Sequence, residues 1–155
     1  MNSVDSRPAE GASKARLRLW LRLLGVTRLV EAGLRERLRS FDSTLPRFDV
    51  LAALQRSREG LKMSELSSAL NVSNGNVTGI VDRLVADGLV VRVPVEGDRR
   101  AMLVRLTRKG EEDFAALAAA HEAWVDELLG AITPAEAARV VASLRPMRDQ
   151  LTKGR

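Results

Sequence analysis

The sequence predicts a mainly helical fold with one small β-hairpin, and two observations lead to this prediction. Apolar residues recur every three or four positions in six segments of the 155-residue chain, as they do along one face of an α-helix. Two short segments rich in β-branched residues, LVVRVPV and MLVRLT, flank the polar sequence EGDRR, which is typical of a hairpin tip. The predicted order is four helices, two strands and two further helices.

Composition restricts the chemistry available to the chain. The 25 Lys and Arg residues exceed the 20 Asp and Glu residues, so the net charge is +5, which favours polyanionic partners. There is no cysteine and a single histidine, His121, which excludes thiolate metal sites and Cys–His catalysis. No catalytic constellation can be assembled, so we expect neither an enzyme nor a cofactor.

The chain also lacks the features of an exported or membrane protein. No apolar run approaches the roughly 20 residues that span a bilayer. The N-terminal sequence has no apolar block of the kind found in secretory signals. We therefore expect a cytoplasmic protein with no membrane partner.

The N-terminal part of the chain is predicted to be an arm followed by a long helix. Residues 1–13 mix serine, proline, glycine and charged residues, so we predict a flexible arm. A long helix should begin at Lys14, within residues 14–45. Pro46 suits the first turn of the second helix, which should end before Gly60.

The middle of the chain, residues 46–110, has the pattern of a DNA-binding domain. After the second helix come two short helices joined by a tight link, and we expect Ser64 and Ser73 to cap them. The later one should end at Asp87 and Gly88. Its apolar residues fall at i, i+3, i+4 and i+7: Val77, Ile80, Val81 and Leu84. Two such helices followed by a hairpin predict a winged helix-turn-helix.

The C-terminal part of the chain, residues 111–155, should contribute two helices to a dimer interface. One helix is predicted from Arg108 to about Ile132, and Thr133 with Glu136 forms an N-cap signature for the last one. The first helix and the last two carry apolar stripes that the small middle domain cannot bury alone. We therefore predict a homodimer formed through the N- and C-terminal helices.

With these elements in place, the sequence resembles the MarR family of winged helix-turn-helix regulators. The resemblance is most specific in VTGIVDRLVADGLVVRVPVEGDRRAMLVRLTRKG, residues 77–110. The residues that match the family's wing signature, Asp-x-Arg followed by Leu-Thr-x-x-Gly, are Asp98, Arg100, Leu106, Thr107 and Gly110. This resemblance implies a homodimer that binds a palindromic double-stranded DNA operator.

A narrower resemblance suggests an effector. The segments LPRFDVLAAL and VSNGNVTG are similar to the branch of the family that represses aromatic-acid catabolism genes and responds to aryl-CoA thioesters such as hydroxycinnamoyl-CoA. We therefore predict a repressor that leaves its operator when it binds an aromatic acid or the CoA thioester of one. The alternative is a ligand-blind architectural or protein-binding module.

The predicted DNA-binding residues lie on the polar face of the second short helix and at the hairpin tip. They are Ser73, Asn74, Asn76, Thr78, Arg83, Asp98, Arg99 and Arg100. Asparagine can bond adenine in the major groove, and arginine can enter a narrow minor groove, where Asp98 would accept hydrogen bonds that hold Arg100. Alternatively, Ser73 and Asn76 only cap the helix and the arginines are solvated. Weaker candidates for phosphate contacts are Arg47, Arg56, Ser64, Arg105 and Lys109.

In the resembled family, ligands bind between the DNA-binding lobe and the helical dimerisation region, so residues 14–45 are assigned to dimerisation and ligand binding. The predicted ligand-binding residues lie on the first and fifth helices, which should meet there. They are Arg16, Arg18, Trp20, Arg22, Leu24, His121 and Trp124. Indole can stack on an aromatic acyl group, imidazole can bond a phenol or thioester oxygen, and arginine can bind CoA phosphates. Alternatively, the tryptophans belong to the dimer core and the arginines to a solvated face.

Overall fold

The predicted order of helices and hairpin is confirmed, with one additional strand. The computed structural model describes residues 10–70 and 74–154, and these form six helices and three strands. In chain order they are α1 (Glu10–Arg39), α2 (Leu45–Arg56), β1 (Leu61–Lys62), α3 (Met63–Leu70), α4 (Asn74–Ala86), β2 (Val90–Val95), β3 (Asp98–Leu106), α5 (Arg108–Leu128) and α6 (Pro134–Lys153).

The additional strand, β1, extends the predicted hairpin to a three-stranded antiparallel sheet in the order β1-β3-β2. Leu61 of β1 pairs with Val104 of β3. A strand of two residues is too short to show an alternating pattern, so β1 could not be predicted from the sequence. β2 is an edge strand, and Pro94 lies on this edge as predicted, next to a register shift between Pro94 and Val95.

Two helix starts differ from the predictions. α1 begins at Glu10 rather than Lys14, so residues 10–13 of the predicted arm are helical, and residues 1–9 lie outside the described residues. α3 begins at Met63, so Ser64 lies inside the helix and does not cap it. Instead the Glu65 carboxylate accepts a hydrogen bond from the Lys62 backbone N–H at 2.7 Å.

Two helix termini follow the predicted signals. The Thr133 hydroxyl accepts a hydrogen bond from the Glu136 backbone N–H, and the Glu136 carboxylate accepts one from Thr133, so α6 begins with a complete capping box. α4 ends before Asp87, and Gly88 has a φ of 74°, the left-handed conformation that suits glycine after a helix. α5 ends at Leu128, four residues before the predicted Ile132.

The core lies between α2, α3, α4, the sheet and the first half of α5. Its fully buried side chains include Leu54, Leu66, Val104 and Leu84. The apolar stripe predicted for α4 faces this core, since Val77, Val81 and Leu84 are buried and Ile80 is half-buried. Packing therefore holds α4 although its first turn contains weak helix formers.

The start of α5 is fixed to the turn before β2 by the Leu-Thr-x-x-Gly segment. The Thr107 hydroxyl donates to the Gly88 carbonyl at 2.6 Å and accepts from the Gly110 backbone N–H at 3.0 Å. A Cβ atom on Gly110 would lie 1.9 Å from the Leu89 carbonyl oxygen, so no side chain fits there. The glycine is thus required by the close approach of two backbones.

α1 and α6 extend away from this core with apolar side chains exposed. Near its C-terminal end, α1 is joined to α5 by Arg37, which donates to the Trp124 carbonyl and to the Glu127 carboxylate. The exposed large apolar residues of α1 are Leu17, Leu19, Trp20, Leu21, Val26 and Leu29. In α6, which is described in full, no residue is buried. None of the described helices is long and apolar enough to cross a membrane.

Candidate functional site

α4 presents a polar face opposite its buried stripe. Asn76, Thr78 and Arg83 are exposed on this face. Asn74 provides the first residue of the helix, and Ser73 lies outside the described residues. Because the helix already begins at Asn74, Asn76 lies within its first turn and is not the residue that precedes the helix.

The hairpin tip carries the predicted arginines, and Asp98 orders its backbone. Arg99 and Arg100 are exposed at the start of β3. The Asp98 carboxylate accepts a hydrogen bond from the Arg100 backbone N–H at 3.0 Å. The predicted contact between Asp98 and Arg100 is therefore made through the main chain and leaves the Arg100 guanidinium available to solvent.

A cleft of about 430 Å³ separates α3 and α4 from the hairpin, which we call the wing groove. Its lining residues are Lys62, Met63, Ser64, Thr78, Arg92, Arg100, Ala101 and Met102. Three of them are basic and two carry hydroxyl groups, so the wing groove suits an anion such as a phosphate. Within it, Thr78 from α4 and Arg100 from the hairpin line the same space.

Two ion pairs fix α4 to its neighbours. Arg92 of β2 pairs with Asp82 of α4 at 2.5 Å, and Arg47 of α2 pairs with Asp87 at 2.7 Å. The Arg47 side chain is only 18% exposed. It therefore stabilises the C-terminal end of α4 through Asp87 and is poorly placed to contact a DNA phosphate. Arg92 was not predicted as a site residue, because its partner Asp82 is ten residues away across a turn and the helical pattern does not indicate their contact.

A second cleft of about 540 Å³, the α2–α4 cleft, lies on the other side of α4. Its lining residues are Thr44, Pro46, Arg47, Asp49, Leu70, Asn76, Ile80 and Arg83. It combines apolar walls with a few polar groups, namely Arg83, the Asp49 carboxylate and Arg47, which is paired with Asp87. The sequence did not predict this cleft because its residues come from three helices.

The predicted ligand residues of α5 are packed against the chain itself. The His121 ring stacks on Phe48 with centroids 4.2 Å apart, and Trp124 packs edge-on against Phe41 at 5.3 Å. Burial lowers the pKa of His121 below its ordinary value, and the Asp49 carboxylate partly offsets this effect. Burial also raises the pKa of Asp49, with a further contribution from Glu31.

The predicted ligand residues of α1 lie far from those of α5 within one protomer. Arg16, Arg18, Trp20 and Arg22 are exposed and Leu24 is half-buried. Trp20 lies seventeen residues before Arg37, which contacts Trp124, a distance of about 25 Å along the helix. One chain therefore does not bring Trp20 together with His121 and Trp124, and the seven-residue ligand site stays a prediction.

Comparison with known proteins agrees with this architecture. The sequence model of the MarR family matches residues 41–101, which include α2, α3, α4 and β2. The crystal structure of a MarR family transcriptional regulator from Silicibacter pomeroyi is 33% identical, with a TM-score of 0.77, and the match covers 93% of this chain and 99% of that one. The chain belongs to the MarR family.

Two further proteins are similar to this chain. The transcriptional activatory protein BadR of Rhodopseudomonas palustris is 38% identical over 90 residues, which is 56% of this chain and 51% of BadR. This chain spans about half the length of the curated relatives it matches. BpsR of Bordetella bronchiseptica is 25% identical, with a TM-score of 0.73 over 84% of this chain and 98% of BpsR. Its structure describes regulation of DNA binding by 6-hydroxynicotinic acid.

Proposed function

We propose that this MarR family protein is a homodimeric transcriptional regulator that binds operator DNA through α4 and the hairpin. The observation that carries the proposal is the wing groove, in which Thr78 of α4 and Arg100 of the hairpin line one basic space. A helix with a polar exposed face can read base edges in the major groove, while hairpin arginines reach the adjacent minor groove. Asn76, Thr78 and Arg83 are proposed to contact the major groove, together with the predicted Ser73 and Asn74.

The homodimer is supported by the apolar side chains that one chain leaves exposed. Trp20, Leu21 and Leu29 on α1 are all more than half exposed, as is Val141 on α6. Such a surface is typical of a protein interface. A two-fold dimer would place two α4 helices in successive major grooves about 34 Å apart, which is why a palindromic operator is proposed.

We further propose that an aromatic acid, or its CoA thioester, releases the protein from DNA and so relieves repression of aromatic-compound catabolism genes. Support comes from BpsR, whose DNA binding is regulated by an aromatic acid, 6-hydroxynicotinic acid. The α2–α4 cleft is large enough for an aromatic acid, and the exposed Arg83 is placed to meet its carboxylate.

The proposed response follows from where this cleft lies. Asn76, Ile80 and Arg83 of α4 form one wall, so a ligand there contacts the DNA-reading helix from the side. In one arrangement of the two protomers, the α4 helices match successive major grooves; in another they do not. A ligand that binds the second arrangement more tightly lowers operator affinity by the ratio of its affinities for the two arrangements.

The experiment is fluorescence anisotropy with labelled duplex DNA from the promoter of the protein's own gene. Free aromatic acids and their CoA thioesters are titrated in parallel series. Release by either series supports the regulator, and release by the acids alone contradicts the CoA branch. Tight DNA binding with no response to any compound, and no ligand-induced rise in melting temperature, would favour the ligand-blind module instead.

A further inference from the structure

A third cleft lies where the chain turns from α1 into α2, and we call it the corner cleft. Its volume is about 280 Å³, and its apolar lining residues are Phe41, Leu51, Leu89, Ala116 and Leu117. The three leucines are buried, whereas Phe41 is half exposed at the protein surface. Clefts that hold drug-sized ligands measure about 300–1,000 Å³, so the corner cleft suits a smaller body such as one aromatic ring.

Two carboxylates line the corner cleft, and neither is neutralised by a partner. Asp42 follows α1 and Asp113 lies on α5, and both are exposed. Within residues 10–70 and 74–154, no ion pair involves either of them. The basic residue of the cleft, Arg47, is already paired with Asp87 at 2.7 Å. The cleft therefore has a local negative charge in a chain of net charge +5, and it favours a cation.

Two further polar groups of the cleft lack a hydrogen-bond partner. Ser43 is only 9% exposed, yet in the described part of the chain its hydroxyl forms no hydrogen bond. The Arg47 Nε–H is also buried, and no acceptor meets it there. Most buried polar side-chain atoms in proteins have a partner. Both groups are therefore expected to bond polar atoms of a ligand in the corner cleft.

Asp42 stands at a position where a carboxylate is unfavourable for the helix that precedes it. Its φ is 50°, and the next N–H, that of Ser43, donates to the Leu38 carbonyl at 3.1 Å to close α1. Glycine or asparagine normally occupies this left-handed position. A negative charge is also disfavoured at the negative, C-terminal end of a helix dipole. Local stability does not account for Asp42, whereas contact with a cation does.

We propose that the corner cleft binds a small organic ammonium compound. The ammonium group lies between Asp42 and Asp113, and its remaining N–H donates to the Ser43 hydroxyl. The apolar body packs against Phe41 and the buried leucines, and an oxygen on that body would accept from the Arg47 Nε–H. This site goes beyond the proposed function, because it is separate from the α2–α4 cleft and takes a ligand of opposite charge to an aromatic acid.

The experiment compares two probes that share a phenylethyl group and differ in charge. Isothermal titration calorimetry measures 2-phenylethylammonium and 2-phenylethanol against the full-length protein at constant ionic strength and without DNA. The ammonium compound should bind saturably, with a dissociation constant of roughly 1 mM or below. The alcohol should bind about tenfold more weakly or not at all, because it cannot form the two charge-assisted hydrogen bonds.

Asp42→Gly is the most informative variant, because binding and stability should change in opposite directions. Loss of the carboxylate should raise the dissociation constant of the ammonium compound about three- to tenfold. Glycine relieves the left-handed backbone and the helix-dipole repulsion, so the melting temperature should rise by about 2 to 5 °C. Weaker binding therefore cannot be attributed to a loss of folding.

Asp42→Asn and Asp113→Asn test the two charges with little change in shape. Each should weaken binding about three- to tenfold, and the double variant should weaken it further. Asp149→Asn on α6 is the matched control, since it removes the same charge away from the cleft and should bind as the wild type does.

The outcomes are independent of the proposed function because no DNA is present. Weaker binding by a more stable Asp42→Gly protein, with Asp149→Asn unchanged, supports the site. No saturable binding by the wild type at millimolar concentration overturns it, as does equal affinity for the ammonium compound and the alcohol. Wild-type affinity in the Asp42→Asn, Asp113→Asn double variant overturns the location. A protein that binds the ammonium compound but no operator would contradict the proposed function and leave this site intact.

Discussion

The DNA-binding region and the first half of α1 obtain their stability in different ways. Leu84 of α4 has no exposed surface, whereas Trp20 of α1 is 56% exposed, although each lies on a helix with an apolar stripe. α4 is surrounded by α2, α3 and the sheet of its own chain, while α1 extends beyond them. Helical periodicity therefore identifies a face that must be buried, but it does not say which chain buries it.

The largest effect should come from filling the space where two backbones meet in the DNA-binding region. Gly110→Ala would place a methyl group against the Leu89 carbonyl and force β2 and α5 apart, at a cost of roughly 4 kcal/mol or more. Urea denaturation measures the loss. Gly11→Ala is the control, since nothing lies within 4 Å of its added Cβ. Equal stability of the two variants would contradict the packing described for the Thr107–Gly110 segment.

A pair of truncations tests the comparison directly. Leu84→Ala removes fully buried atoms and should reduce the free energy of unfolding by about 2 to 5 kcal/mol, with little change in dimer affinity among molecules that remain folded. Trp20→Ala should instead raise the dimer dissociation constant about tenfold or more, because a tryptophan at an interface is often a hot spot that contributes much of the binding free energy. If Trp20→Ala left dimer affinity unchanged, the Trp20 side chain would be exposed to solvent in the dimer too, and a second chain would not bury this face of α1.

On the DNA-reading face the effect should fall on binding alone. Asn76→Ala should weaken operator binding by about 1 to 3 kcal/mol and leave the dimer folded, because Asn76 is exposed within the first turn of α4. Anisotropy measures binding and thermal melting measures folding. Gln150→Ala on α6 is a control with the same amide chemistry away from α4. If the Asn76 variant lost its fold, the alternative interpretation would hold, in which Asn76 only caps α4.

The smallest effect concerns the only histidine. Because burial keeps the pKa of His121 below 6.5 in the folded state, the unfolded chain binds the proton more tightly, and wild-type stability should fall as the pH drops below about 6.5. His121→Gln lacks this contribution, so its melting temperature should fall less over the same range. Parallel curves for the two proteins between pH 7.5 and 5.5 would show that the imidazole is solvated.

Much of the fold could be predicted from local signals. The stripe of Val77, Val81 and Leu84, the capping box at Thr133 and the end of α4 at Gly88 are encoded within a few residues each. The two-residue strand β1 was missed because its pairing with β3 depends on residues more than forty positions away. The first turn of α1 was missed because Gly11 and its polar neighbours are common in flexible arms.

The candidate site was only partly predictable for a related reason. The exposed positions of α4 and the hairpin arginines follow from the helical pattern and the turn. Arg92 and the α2–α4 cleft depend on contacts between elements, which a linear pattern does not report. The predicted ligand set joined residues of α1 and α5 because these two helices are expected to meet at the ligand site of the resembled family, yet Trp124 packs on Phe41 and Trp20 lies at the far end of α1.

The central claim is that two copies of α4 and the hairpin bind DNA as one basic surface, and the salt dependence of binding tests it most directly. If the dimer neutralises about eight phosphates, a plot of log affinity against log salt concentration should have a slope of about −7. Arg100→Gln should make this slope shallower by about 2, one phosphate contact in each protomer. A nearly flat slope for the wild type, or one unchanged by Arg100→Gln, would contradict DNA binding through this surface.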